Sequence, residues 1–253
     1  MLDIRDEIGS ILQRYMTAGG YSRNDRKQKE AHSLASWVFY YRNAGGNTDN
    51  IKIEINYSMR QHILPVHEAV INADYLGAPL KVTTLAPLEL FGGKIKALTE
   101  RAAARDLYDV HNMIHQGLFD ESEMDMLRKC VLFYRAVGST GTFHEEISLD
   151  GIDEISFQTI RQTLIPVLRK GERFNLEEAK AEVMSYISEL LVPTENELGF
   201  LRRFSHGYYE PELLFEDEEI LDRIGDHPMA LWKCERIRQT QQREQTQGFS
   251  MTM

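Results

Sequence analysis

The chain reads as an α+β fold: a small mixed or antiparallel sheet near the N-terminus, followed by a mainly α-helical C-terminal domain. Three observations predict this. Ile51 to Tyr57 alternates strictly, with Ile51, Ile53, Ile55 and Tyr57 on one face and Lys52, Glu54 and Asn56 on the other, the period of a half-buried strand. Leu34 to Tyr41, rich in aromatic and β-branched residues, stands just before it across the turn Ala44-Gly45-Gly46-Asn47, so the two segments read as an antiparallel hairpin. From Ala86 onward the apolar spacing is helical almost throughout.

In chain order, Ile4, Ile8, Ile11, Leu12 and Tyr15 recur as on an amphipathic helix over Leu2 to Met16, which Gly19-Gly20 ends. The polar stretch Tyr21 to Glu30 reads as a solvated connector. Leu80 to Leu85 is a third strand candidate, and Ala86-Pro87-Leu88 opens a helix with proline in its first turn. Further helices are expected over Asp106 to His115, Glu121 to Val137, and Ile155 to Leu168, the last disturbed at Pro166. Asn175 caps the next, to Leu191, with Glu178 placed as in a capping box. Two shorter helices, Glu195 to Phe204 and Pro211 to Ile224, precede the run from Asp226, which reads as a helix start with Trp232 buried. The domains expected are therefore residues 1–85 (α+β), 86–238 (helical) and a glutamine-rich tail, 239–253, expected to be disordered.

Composition narrows the function classes. No run approaches a membrane span, and the N-terminus lacks the layout of a signal peptide, so a cytoplasmic protein without membrane association is expected. Two cysteines, Cys130 and Cys234, supply neither a disulfide framework nor a zinc spacing. The net charge of −10 argues against a surface that coats nucleic acid wholesale, while leaving room for a local basic one. His62, His67, His111 and His115 contain one i, i+4 pair but no H-E-x-x-H metal pattern.

The densest chemistry lies between Lys94 and Asp109, K-I-K-A-L-T-E-R-A-A-A-R-D-L-Y-D. On an unbroken helix Lys94, Arg101, Arg105 and Asp109 fall within about 80° of one another, forming one ionic stripe. Such a stripe can grip phosphate or metal, or it can pair with itself. Glu54, on the polar face of the alternating strand, is either a solvated carboxylate or one that meets Lys94 and Asp106 in the fold. Acids converging with a lysine are what metal-dependent phosphoryl or nucleotidyl transfer requires.

The order I-K-I-E-I, then E-L-F-G-G-K-I-K-A-L-T-E-R-A-A-A-R-D-L-Y-D-V, resembles the AbiEii/AbiGii-type nucleotidyltransferase toxins, a branch of the polymerase-β-like nucleotidyltransferase superfamily. That family carries an acidic strand motif, a K-x-x-A-L-x-x-R helix and an R-D-x-x-D element. The resemblance implies that Glu54, Lys94 and Asp106 are catalytic, that Lys94, Arg101 and Arg105 hold the nucleotide, and that Glu54 and Asp109 hold metal. It implies Mg2+ and NTP as cofactors, and transfer of a nucleotide to nucleic acid, tRNA in some members. The setting it implies is a bacterial toxin–antitoxin or phage-defence system with a cognate antitoxin as partner.

One departure stands against these matches. Family members begin with G-G-[ST] and a following D-x-D pair, and neither motif occurs in this sequence; Gly19-Gly20-Tyr21 and Gly45-Gly46-Asn47 read as turns. The expectation is thus a chain truncated before that motif, with an incomplete nucleotidyltransferase core and impaired activity. The alternative is a non-catalytic module that binds antitoxin or nucleic acid.

Overall fold

The computed structural model describes residues 2–23, 29–30, 34–71, 77–138 and 147–250. The chain divides into two compact units, Met1–Arg60 and Gln61–Met253, where the sequence had suggested a boundary near residue 85. The α+β reading holds: small antiparallel sheets come first, then helices.

In the first unit, helix α1 (Leu2–Ala18) accompanies a four-stranded sheet of β1 (Ser22–Arg23), β2 (Lys29–Glu30), β3 (Leu34–Arg42) and β4 (Thr48–Asn56). β3 is central, with β4 on one side and both short strands on the other. The expected hairpin is the β3–β4 pair, with Trp37 opposite Ile53 and Ser36 opposite Glu54. Its turn uses Gly46 at φ 77°, and the Asn43 side chain accepts from the N–H groups of Gly45 and Asn47. Met16, Ala35, Trp37 and Phe39 form the core, with Leu12, Ile53 and Ile55 packed against it. The polar connector differs from expectation at both ends, because Ser22–Arg23 and Lys29–Glu30 pair with β3. Ladder bonding to an open strand edge needs only backbone groups, so polar residues can supply it; residues 24–28 lie outside the described chain.

In the second unit the strand candidate becomes β6 (Leu80–Thr84), paired with β5 (His67–Ile71). The helices follow: α2 (Pro87–Arg101), α3 (Ala104–His115), α4 (Met124–Gly138), α5 (Asp150–Asp153), α6 (Phe157–Thr163), α7 (Leu176–Leu190), α8 (Glu195–Ser205), α9 (Glu218–Ile224) and α10 (Pro228–Ser250). α2, α3, α4 and α7 bury Ile95, Leu98, Leu107, Val110, Val131, Val183 and Ile187 in one core. Gly92 is required where α2 meets α4: a Cβ there would stand 2.7 Å from the Cys130 Cβ. Asn175 caps α7 by accepting from the Glu178 N–H, but its amide also donates to the Glu178 carboxylate, where a full capping box would return that carboxylate to the backbone.

Three further expectations are corrected. Ile155 to Leu168 is not one helix: α6 ends at Thr163 and a 3-10 turn spans Ile165–Val167, since Pro166 has no N–H to continue the ladder. Trp232 is 58% exposed rather than buried. Ala230, Lys233 and Cys234 take the inward face of α10 in its place, with His227 buried just before the helix. The glutamine-rich segment, expected to be disordered, continues α10 through Ser250, because Gln, Arg and Glu all propagate a helix once its first turns are docked.

The end of α4 is capped from outside by two lysines. Lys96 Nζ donates to Gly138 O (3.1 Å) and Lys233 Nζ to Ala136 O (2.8 Å), satisfying carbonyls that the helix leaves open and opposing its negative end. Lys96 also pairs with Glu100 at 2.6 Å. Burial, followed by the charge of Lys96, pushes Lys233 down to about 8, with Glu100 and Cys234 acting in the opposite sense. The folded-state value lies below that of the free side chain, so between pH 8 and 10.5 the unfolded chain holds a proton that the folded one has released, and this residue's contribution to stability rises with pH. Lys233→Met should therefore gain on the native chain at pH 7 and lose that advantage by pH 10.5. The difference between their urea-unfolding free energies should change by about 1–2 kcal/mol over this window, since water screens part of the shift. A pH-independent difference would contradict the assignment.

Candidate functional site

The segment from Lys94 to Asp109 is not one helix, which corrects the ionic stripe. α2 ends at Arg101; Ala102 takes the left-handed conformation (φ 44°, ψ 47°) and its N–H bonds Leu98 O; Ala103 is extended, and α3 starts at Ala104. Among the described residues Ala102 is the one non-glycine with positive φ. Such a conformation costs an L-residue about 1 kcal/mol, and here packing holds it. Its methyl belongs to the border of the core, and a Cβ on Gly151 would come within 3.2 Å of it.

The elbow lets distant charges meet. In a straight helix Lys94 and Asp109 would be about 22 Å apart along the axis. Folded back, Lys94 Nζ reaches Asp109 Oδ2 at 2.5 Å, with the two side chains 33% and 37% exposed. Arg101 grips Asp106 through two bonds, Nε to Oδ2 at 2.6 Å and Nη2 to Oδ1 at 2.8 Å. Asp106 is buried in the first turn of α3, where the helix dipole also favours its charge. The hydrogen bonds that Arg101 donates to Asp106 hold its guanidinium above its ordinary value. Arg105 is exposed and donates to Thr163 O at 3.3 Å. Of the predicted residues, the structure thus joins Lys94 to Asp109 and Arg101 to Asp106. Glu54 belongs to the first unit, on β4, where it pairs with Lys52 at 2.7 Å.

Sequence reasoning missed the residue that seats α2. Glu89, wholly buried, accepts from the N–H groups of Ile63 (2.8 Å) and Leu64 (2.9 Å) and from the Tyr134 hydroxyl. Burial and this carboxylate push the Tyr134 hydroxyl far up. Arg223 donates to Ile63 O, and Gln61 donates to Asp226 at 2.9 Å, so residues 61–64 are tied to α2, α4 and α9 alike. A glutamate in a helix's first turn usually faces water, so nothing in the residue pattern marks this one as buried.

The elbow's carboxylates do not fit a divalent cation as they stand. Both oxygens of Asp106 are taken by Arg101 and one of Asp109 by Lys94, and among the described residues no group of three or more His, Cys, Asp or Glu side chains could hold a metal ion. The cations fit an anion better: the Lys94 and Arg101 side chains are both reachable from solvent.

The family model described as "Nucleotidyl transferase AbiEii toxin, Type IV TA system" matches residues 1–189. The chain belongs to the AbiEii family. The match takes in the whole elbow and both sheets and stops at the end of α7, so α8, α9 and α10 lie beyond it. Neither the curated proteins nor the solved structures give a match. AbiEii membership makes this a toxin-family nucleotidyltransferase chain and implies an antitoxin as partner. Among the described residues no helix is long and apolar enough to cross a membrane.

Proposed function

We propose that this chain is the nucleotide-handling toxin of a cytoplasmic bacterial toxin–antitoxin, phage-defence system, and that the α2–α3 elbow receives the phosphates of an NTP. The observation that supports this most is the Lys94–Asp109 bridge: a one-third-exposed lysine, held by a carboxylate across a bend, is a cation kept in place for an anion. Lys94 takes the nucleotide phosphates. Arg101 and Arg105 border the same bend and add positive field, with Arg101 held by Asp106 so that its fork keeps one orientation. Glu54 and Asp109 are the carboxylates that the family resemblance assigns to metal; Lys94 occupies one of the two oxygens of Asp109. The reaction is transfer of a nucleotide from NTP to nucleic acid, with tRNA as acceptor.

Because the sequence contains no D-x-D pair, transfer by this chain alone is expected to be slow, and binding is the sharper test. Calorimetry of the purified chain with each NTP, with and without Mg2+, should give micromolar affinity, and Lys94→Ala should weaken it at least about tenfold while leaving the melting temperature within a few degrees, the bridge being an exposed pair. An absence of NTP binding, or equal binding by Lys94→Ala, would refute the assignment.

A second reading is favoured by one observation: both elbow carboxylates already have cationic partners. On this reading the elbow is a closed salt-bridge clasp in a non-catalytic module that binds antitoxin or nucleic acid. No NTP binding combined with intact antitoxin or nucleic-acid binding would decide for it.

A further inference from the structure

Helix α10 presents to solvent a face that packing within its unit does not explain. Trp232 is 58% exposed, and the Arg236 guanidinium lies over its ring, 5.6 Å from the centroid. At 100° per residue, Trp232, Arg236, Gln239 and Arg243 fall within about 60° of one another, on a strip about 16 Å long. Arg236, Gln239 and Arg243 are exposed, whereas Lys233 and Cys234 point inward, so the strip lies opposite the docked face. The helix carries four basic and two acidic residues in a protein of net charge −10. Its acid nearest the strip, Glu235, is neutralised by Arg238 at 2.6 Å and accepts from Gln239 at 3.0 Å.

We infer that this strip is a docking surface for single-stranded nucleic acid. Charge complementarity selects a polyanion, and an exposed indole with a guanidinium beside it offers a base a stacking platform and its phosphate a partner. A face with one large exposed aromatic, two arginines and a glutamine matches a strand of bases and phosphates better than it matches an apolar partner helix, which needs a continuous apolar stripe. The strip lies beyond the residues that match the AbiEii model, so it adds to the family's domain rather than repeating it. The choice of nucleic acid as occupant rests on the acceptor class proposed above; the chemistry of the strip rests on its own residues.

The test is fluorescence anisotropy of a labelled oligouridylate of about ten nucleotides with the full chain, over a series of salt concentrations. Trp232→Ala should weaken binding about tenfold. Arg236→Gln and Arg243→Gln should each flatten the salt dependence by about 0.7 in log–log slope. All three residues are exposed, so the variants should fold as the native chain does, which melting curves verify. Lys94→Ala, run in parallel, should bind the oligonucleotide normally, so loss of NTP binding at the elbow and loss of RNA binding at α10 are separate results. The inference is overturned if the native chain does not bind, or if the three variants bind as it does. It is also overturned if poly-glutamate competes as well as RNA, or if Trp232→Ala converts a dimer into a monomer, which would make the face a contact between copies.

Discussion

Glu89→Ala should cost the second unit about 3–5 kcal/mol, the largest loss expected from any single side chain of α2. The wholly buried carboxylate serves three donors: the N–H groups of Ile63 and Leu64 and the hydroxyl of Tyr134. Alanine removes the acceptor and leaves the buried Ile63 N–H and the half-buried Leu64 N–H and Tyr134 hydroxyl without it, and a buried group left so costs about 1–3 kcal/mol. The loss cannot be recovered by local rearrangement, because Ile63 is itself fully buried and its carbonyl is held by Arg223. Glu89→Gln should cost less, since the amide keeps one acceptor while turning an N–H pair toward a donor. Urea unfolding followed by circular dichroism measures both, and a loss under about 1 kcal/mol for the alanine variant would mean that water reaches these donors. Because α2 carries Lys94, the same variant should also weaken NTP binding, through a displaced helix rather than a missing contact.

Gly92→Ala and Gly93→Ala should move stability in opposite directions, although the two residues are adjacent in one helix. Intrinsic propensity favours alanine by about 1 kcal/mol at both. At Gly93 nothing lies within 4 Å of an added Cβ, so that gain should appear as about 0.5–1 kcal/mol of stabilisation. At Gly92 the new methyl would meet the Cys130 Cβ at 2.7 Å and the backbone of Cys130 and Val131 at 3.3 Å. α2 and α4 would have to separate, and overpacking of this kind costs about 1–3 kcal/mol or more, which outweighs the propensity gain. Thermal unfolding of the two variants decides the matter; a shift of the same sign in both would show that α2 and α4 are not held at this distance.

The sequence made the regular elements legible wherever a period was clean. The alternation over Ile51 to Tyr57 gave the β3–β4 hairpin, and the spacing of Leu176, Ala179, Val183 and Ile187 gave α7 with its cap. β5 escaped because His67 to Ile71 is short and largely exposed, so it shows no contrast between two faces. The elbow escaped for a different reason: three consecutive alanines are the strongest helix-forming stretch in the chain, yet Ala102, packed beside Gly151, turns left-handed. Burial of charge was equally hidden. Glu89 and Lys233 are enclosed by segments distant in sequence, and nothing local distinguishes them from the solvated Glu100 or Arg236. At the candidate site, the residue types of the Lys94 to Asp109 motif were legible and their partners were not, since angular position on an assumed rod says nothing about a chain that turns back.

The turn at Ala102 also changes what affinity at Lys94 would measure. On a rod the lysine would wait in water, and a phosphate would gain its full attraction less the cost of desolvation. At the bend Lys94 already has Asp109 at 2.5 Å, so an incoming phosphate exchanges one anion for another. The ammonium has donors for both, so the contest is one of charge, and its outcome depends on how firmly α3 holds the carboxylate beside the phosphate. Removing its charge by Asp109→Asn would then free the lysine, and a weaker protein clasp would make a tighter nucleotide grip.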